Sequence, residues 1–108
     1  MNWIPLTSEA QLEEIKELSN SKPVVIFKHS TRCSISTMAK GRLDRAEQPE
    51  GVDFYYLDLL AYRPVSNKIA EAFAVPHESP QLLLIKNAGC IYEETHNGID
   101  MDELKAQL

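Results

Sequence analysis

The stretch from Val24 to Met38, VVIFKHSTRCSISTM, constrains this chain more than any other. Val24-Val25-Ile26-Phe27 is β-branched and aromatic enough for a buried strand, and it stops at the polar residues Lys28-His29-Ser30-Thr31. Beyond Cys33, the residues Ile35, Met38, Ala39, Leu43 and Ala46 recur at helical spacing. Cys33 therefore sits where a strand hands over to a helix. Unpaired amide N–H groups and the positive end of the helix dipole favour a thiolate at such a place, so Cys33 is expected to be a nucleophile.

The rest of the chain supplies elements on either side. Trp3-Ile4-Pro5-Leu6 reads as a short edge strand, because Pro5 has no N–H to give a central ladder. Ser8 with Gln11 forms a capping-box pattern ahead of Leu12, Ile15 and Leu18, a first helix whose other face, Glu9, Glu13, Glu14 and Glu17, suits solvent. The helix after Cys33 is expected from Ser34 to about Glu47. Val52 to Leu60 then suits a second core strand, and Arg63-Pro64-Val65 opens a third helix with Ile69, Ala72 and Phe73 on its apolar side. Gln81 to Lys86 is apolar enough for a strand buried on both faces, and Cys90 to His96 can return beside it as a hairpin. Asp100 with Glu103 caps a last helix. The predicted order is β-α-β-α-β-α-β-β-α, a mixed central sheet with helices on both faces.

With 108 residues and neither repeat nor linker, residues 1–108 are expected to form a single domain around one site. The net charge of −5 argues against a nucleic-acid partner. No run approaches a membrane span, and MNWIPLTSEA lacks the basic start and apolar core of a signal peptide, so no membrane association and a cytoplasmic location are expected. A reducing compartment makes a structural disulfide between Cys33 and Cys90 improbable. His29, His77 and His96 are too scattered for a zinc site, and no metal is expected.

The order of elements, a cysteine at a strand-to-helix junction and Pro80 just ahead of the next core strand together resemble the thioredoxin-like fold over essentially the full length. The resemblance implies a cis Ser79-Pro80 bond facing Cys33, with the backbone of Ser79 offered to a bound substrate chain. More closely, FKHSTRCSIS followed by HESPQ is similar to the YtxJ family, the monothiol bacilliredoxins. That similarity implies removal of bacillithiol, a low-molecular-weight thiol, from S-thiolated client proteins. Bacillithiol would be a co-substrate, no cofactor would be tightly bound, and a second thiol or a reductase would recycle the protein.

Ser36 stands where a dithiol protein would have its second cysteine. A serine cannot resolve a mixed disulfide at Cys33, although its hydroxyl could donate to the thiolate or bond its own helix backbone instead. Between Lys22 and Arg45 there are six basic residues and one acid, Asp44. Arg32, beside Cys33, is the foremost candidate to meet a substrate carboxylate. Lys28 and His29 close the strand, and alternation directs one toward the site and the other to the opposite face. Topology also returns His96, Asn97 and Gly98 to the site as candidate ligand contacts. It puts Cys90 at the far end of the sheet, about 15 to 20 Å from Cys33, too far to resolve a disulfide. The competing readings are a glutaredoxin-like protein using glutathione or an iron-sulfur cluster, and a non-catalytic adaptor in which Cys33 is inert.

Overall fold

The computed structural model describes residues 1–108. Its strands are β1 (Trp3–Pro5), β2 (Val24–His29), β3 (Asp53–Asp58), β4 (Gln81–Lys86) and β5 (Gly89–Thr95). Its helices are α1 (Ala10–Leu18), α2 (Ser34–Arg45), α3 (Arg63–Phe73) and α4 (Met101–Lys105), with a 3-10 turn at His96–Gly98. The sheet order is β1-β3-β2-β4-β5, parallel among β1, β3 and β2 and antiparallel for β4 and β5. This is the predicted order of elements and a mixed sheet. β1, with Pro5, lies on the edge.

Because strand side chains alternate, β2 divides its apolar residues between two cores. Val24 and Ile26 join Leu12 and Ile15 of α1 and Val65, Ile69 and Phe73 of α3. Val25 and Phe27 join Ala39 and Leu43 of α2 and Met101 and Leu104 of α4. Each large aliphatic side chain so buried is worth about 1.5–3 kcal/mol over exposure, which makes β2 the element both layers depend on. Its six residues are all buried, including the two polar ones at its end.

Differences from the sequence reading are confined to element ends. α2 stops at Arg45 and not near Glu47, where Ala46 turns to extended backbone ahead of Pro49. α1 starts at Ala10 after Glu9, which makes no side-chain cap bond. Only half of the expected capping box forms: Gln11 Oε1 accepts from the backbone N–H of Thr7 (2.7 Å) and Ser8 (3.1 Å), while Ser8 does not cap in return. The closing hairpin begins at Gly89, and a register shift at Leu84/Ile85 accompanies its turn. No helix is long and apolar enough to cross a membrane.

Candidate active site

The parallel strands β2 and β3 end side by side, with His29 opposite Asp58, and the backbone N–H of Leu59 donates to the His29 carbonyl (3.0 Å). From this edge the chain turns through Ser30-Thr31-Arg32 into α2. Cys33 is the N-cap residue, extended at φ −106° and ψ 121°, and is half-buried. Its carbonyl begins the helix by accepting from the Thr37 N–H (3.0 Å) and the Thr37 hydroxyl (3.2 Å). The side chain of Cys33 makes no capping bond, so its sulfur stands free before the open amides of the first turn.

Ser36, one turn in, is fully buried. Its hydroxyl lies 2.7 Å from His29 Nδ1 and accepts from the Ser30 N–H at 3.0 Å. After accepting from the Ser30 N–H, the Ser36 hydroxyl keeps its proton and a second lone pair, so its bond to Nδ1 runs in the direction the His29 tautomer sets. Burial is the foremost cause that lowers the His29 pKa, and the charge of Lys40 adds to it, so a neutral ring is consistent with its surroundings. The hydroxyl that could have faced the Cys33 thiolate, or its own helix backbone, is instead committed to the loop and to His29.

Lys28 and His29 do point to opposite faces, but neither reaches the surface that a substrate would touch. Lys28 crosses to the α3 side, where its fully buried ammonium contacts the Ser66 carbonyl (3.2 Å) and His77 Nδ1 (3.3 Å). Burial lowers its pKa to about 8, and burial together with Lys28 lowers that of His77. His29 packs between Phe27 (5.8 Å between centroids) and Tyr56 (5.6 Å) beneath α2. Both residues therefore support the site from within. His77 was missed as the partner of Lys28. Its one sequence signal is that a lysine closing a buried strand must find an acceptor somewhere.

Pro80 follows a cis peptide bond from Ser79, the geometry the resemblance implied. Its ring is buried, and Gln81, the next residue, pairs with Lys28. The Pro80 carbonyl accepts from the His96 N–H (3.2 Å), whereas the backbone of Ser79 has no partner within the chain. Asn97 and Gly98 are exposed in the 3-10 turn, tied to α2 by Arg42. Arg42 Nε donates to the Ile99 carbonyl (3.0 Å) and Nη2 to the His96 carbonyl (3.0 Å). Arg32 is exposed and forms no ion pair.

Cys90 lies opposite Ile85 near the far end of β4. Its thiol donates to the Tyr92 carbonyl (3.3 Å), and burial raises its pKa. No three His, Cys, Asp or Glu side chains converge as a metal would require.

The family profile described as Monothiol bacilliredoxin BrxC matches residues 4–104. A solved protein assigned as an oxidoreductase with a thioredoxin fold is 31% identical, with TM-score 0.83 over 96% of this chain and 91% of that one. The thioredoxin of Trypanosoma brucei brucei superposes with TM-score 0.78 at 13% identity, covering 98% of this chain and 88% of its own. That of Malassezia sympodialis gives 0.74 at 20% identity, covering 99% and 87%. At such identities the last two speak for the fold alone.

Proposed function

The chain belongs to the monothiol bacilliredoxin family, and from that premise we propose that it removes bacillithiol from S-thiolated proteins through Cys33 alone. The observation that carries this reading is a half-buried sulfur at the start of α2 that makes no capping bond and has no second sulfur beside it. Position 36 holds a serine bonded inward to His29, and the other cysteine is at the opposite end of β4.

The Cys33 thiolate attacks the bacillithiol sulfur of a client mixed disulfide. A new S–S bond forms between Cys33 and bacillithiol, the client S–S bond breaks, and the client thiolate leaves and takes a proton from water. No electrons are gained or lost in this exchange. A second low-molecular-weight thiol or a reductase then attacks the adduct and frees Cys33. The unpartnered backbone of Ser79 beside Pro80 supports docking of the client chain as an added strand. In this reading Arg32, exposed and unpaired, meets a carboxylate, and the exposed Asn97 and Gly98 close the ligand side. Bacillithiol is here a co-substrate, with no resident cofactor, and the chemistry belongs to the reducing cytoplasm.

The test offers a model protein bearing a bacillithiol mixed disulfide to the wild type and to Cys33→Ala, with free bacillithiol as the recycling thiol. The wild type should clear the modification and the variant should leave it. Retention of the adduct by both, read by intact mass, would refute the activity.

A further inference from the structure

One side of α2 is a groove of about 520 Å³ lined by Thr37, Met38, Gly41, Arg42 and Arg45. It starts one turn beyond Cys33 and follows the same side of the helix, since positions four apart stack. Glycine is the poorest helix residue after proline, yet Gly41 occupies the middle of α2. It forms the floor of the groove. Arg45 folds back over it, and an ideal Cβ at position 41 would lie 3.1 Å from Arg45 Nη1. The Arg45 guanidinium is thereby held near the level of residue 41, about 12 Å along the helix axis from Cys33 at 1.5 Å per residue.

The charge of the groove is unneutralised. Neither Arg42 nor Arg45 has a carboxylate within ion-pair distance. Asp44, the acid between them in sequence, is held elsewhere by Lys40 (2.8 Å) and by Trp3 Nε1 (2.7 Å). Arg42 spends two donors on backbone carbonyls, so Arg45 is the free planar fork. Met38, 62% exposed, supplies an apolar wall.

Resting on the reading of Cys33 as the residue that accepts bacillithiol, we propose that this groove is the subsite for the carboxylate-bearing remainder of the small thiol. Arg45 is its specificity determinant. Bacillithiol carries a malate group, and with its sulfur bonded to Cys33 the two carboxylates of that group lie along α2 and pair with the Arg45 fork, which matches a carboxylate in a bidentate way. The groove thereby distinguishes an anionic adduct from a neutral one.

The experiment compares two adducts of one model protein, the bacillithiol mixed disulfide and the neutral 2-mercaptoethanol mixed disulfide. The ratio of their kcat/KM values is measured for wild type, Arg45→Gln and Arg45→Glu. The wild type should favour the anionic adduct, Arg45→Gln should lower the ratio about fivefold, and Arg45→Glu should lower it further. A ratio unchanged within twofold would overturn the proposal. A second readout does not depend on turnover. Amide shifts in the chemically prepared Cys33–bacillithiol adduct, relative to the Cys33–mercaptoethanol adduct, should move at Gly41 and Arg45. Shifts confined to residues 95–98 would refute the groove, even if neither client adduct proved to be a substrate. Loss of both client activities would instead refute the de-thiolation reading.

Discussion

The two cysteines lie at opposite ends of the sheet, and their surroundings are arranged in opposite ways. At the far end, the Cys90 thiol is half-buried among apolar side chains and spends its one proton on the Tyr92 carbonyl. At the near end, the Cys33 sulfur is left alone while everything beneath it is hydrogen-bonded. Five of the six buried polar residues, Lys28, His29, Ser36, Ser66 and Gln81, gather there, and only Ser19 belongs to the other end. No buried side-chain polar atom lacks a partner. Polar material under the site thus satisfies itself and takes no hydrogen bond from the Cys33 thiol. An inert thiol needs only a dry pocket and one carbonyl.

The largest effect should separate the sulfurs outright. Cys33→Ala is expected to lower de-thiolation by at least about a hundredfold, whereas Cys90→Ala should stay within about twofold of wild type. Iodoacetamide should label Cys33 at least about ten times faster than Cys90, followed by peptide mass spectrometry. Equal labelling would erase the contrast.

Ser36→Ala attacks the support and leaves the sulfur in place. It strands the Ser30 N–H and the His29 ring nitrogen together, so unfolding in denaturant should show a loss of about 2 kcal/mol. A loss below about 0.5 kcal/mol would mean that the pair does not hold the loop.

Lys28→Met probes the other layer of that support. An apolar side chain of similar length removes the desolvated ammonium, and stability at pH 7 should be unchanged or about 1 kcal/mol higher. The same variant should flatten the pH dependence between about 8 and 10.5, the folded and ordinary values of Lys28. In that window the unfolded chain holds a proton that the folded one has released, so wild-type stability rises with pH. A fall of more than about 2 kcal/mol in Lys28→Met would show that the buried charge is net stabilising.

The smallest effect concerns the imidazoles. His29 and His77 both have pKa values lowered from 6.5, chiefly by burial. As pH falls below 6.5 the unfolded chain binds protons before the folded one does, and stability declines. Thermal melting of wild type from pH 7.5 down to 5.5 should show that decline, and His29→Gln should show a shallower one. Identical slopes would remove His29 from the account.

Much of this site was legible because its signals are local. The β-branched run into a periodic helix fixed Cys33 at a junction, and counting along β4 sent Cys90 away from it. Strand alternation correctly separated Lys28 from His29. What alternation could not reveal is depth: whether a polar side chain at a strand end meets water depends on α3, 38 residues on, and on a loop 49 residues away. Ser36 shows the same limit. Its spacing from Cys33 suggested a bond to sulfur or to its own helix, but the loop that leads into α2 doubles back and brings His29 and Ser30 to the hydroxyl first. The groove on α2 had one readable sign, a glycine inside a helix, which gains meaning only when Arg45 is seen to lie over it.

The Arg42 brace has an evolutionary consequence. It grips the carbonyls of His96 and Ile99, and main-chain carbonyls are present whatever the residue. Mutation can therefore change the side chain at Asn97, which is exposed in the braced turn, without loosening the turn from the helix that carries Cys33. The exposed side chain at that position can drift while the frame around Cys33 is inherited intact.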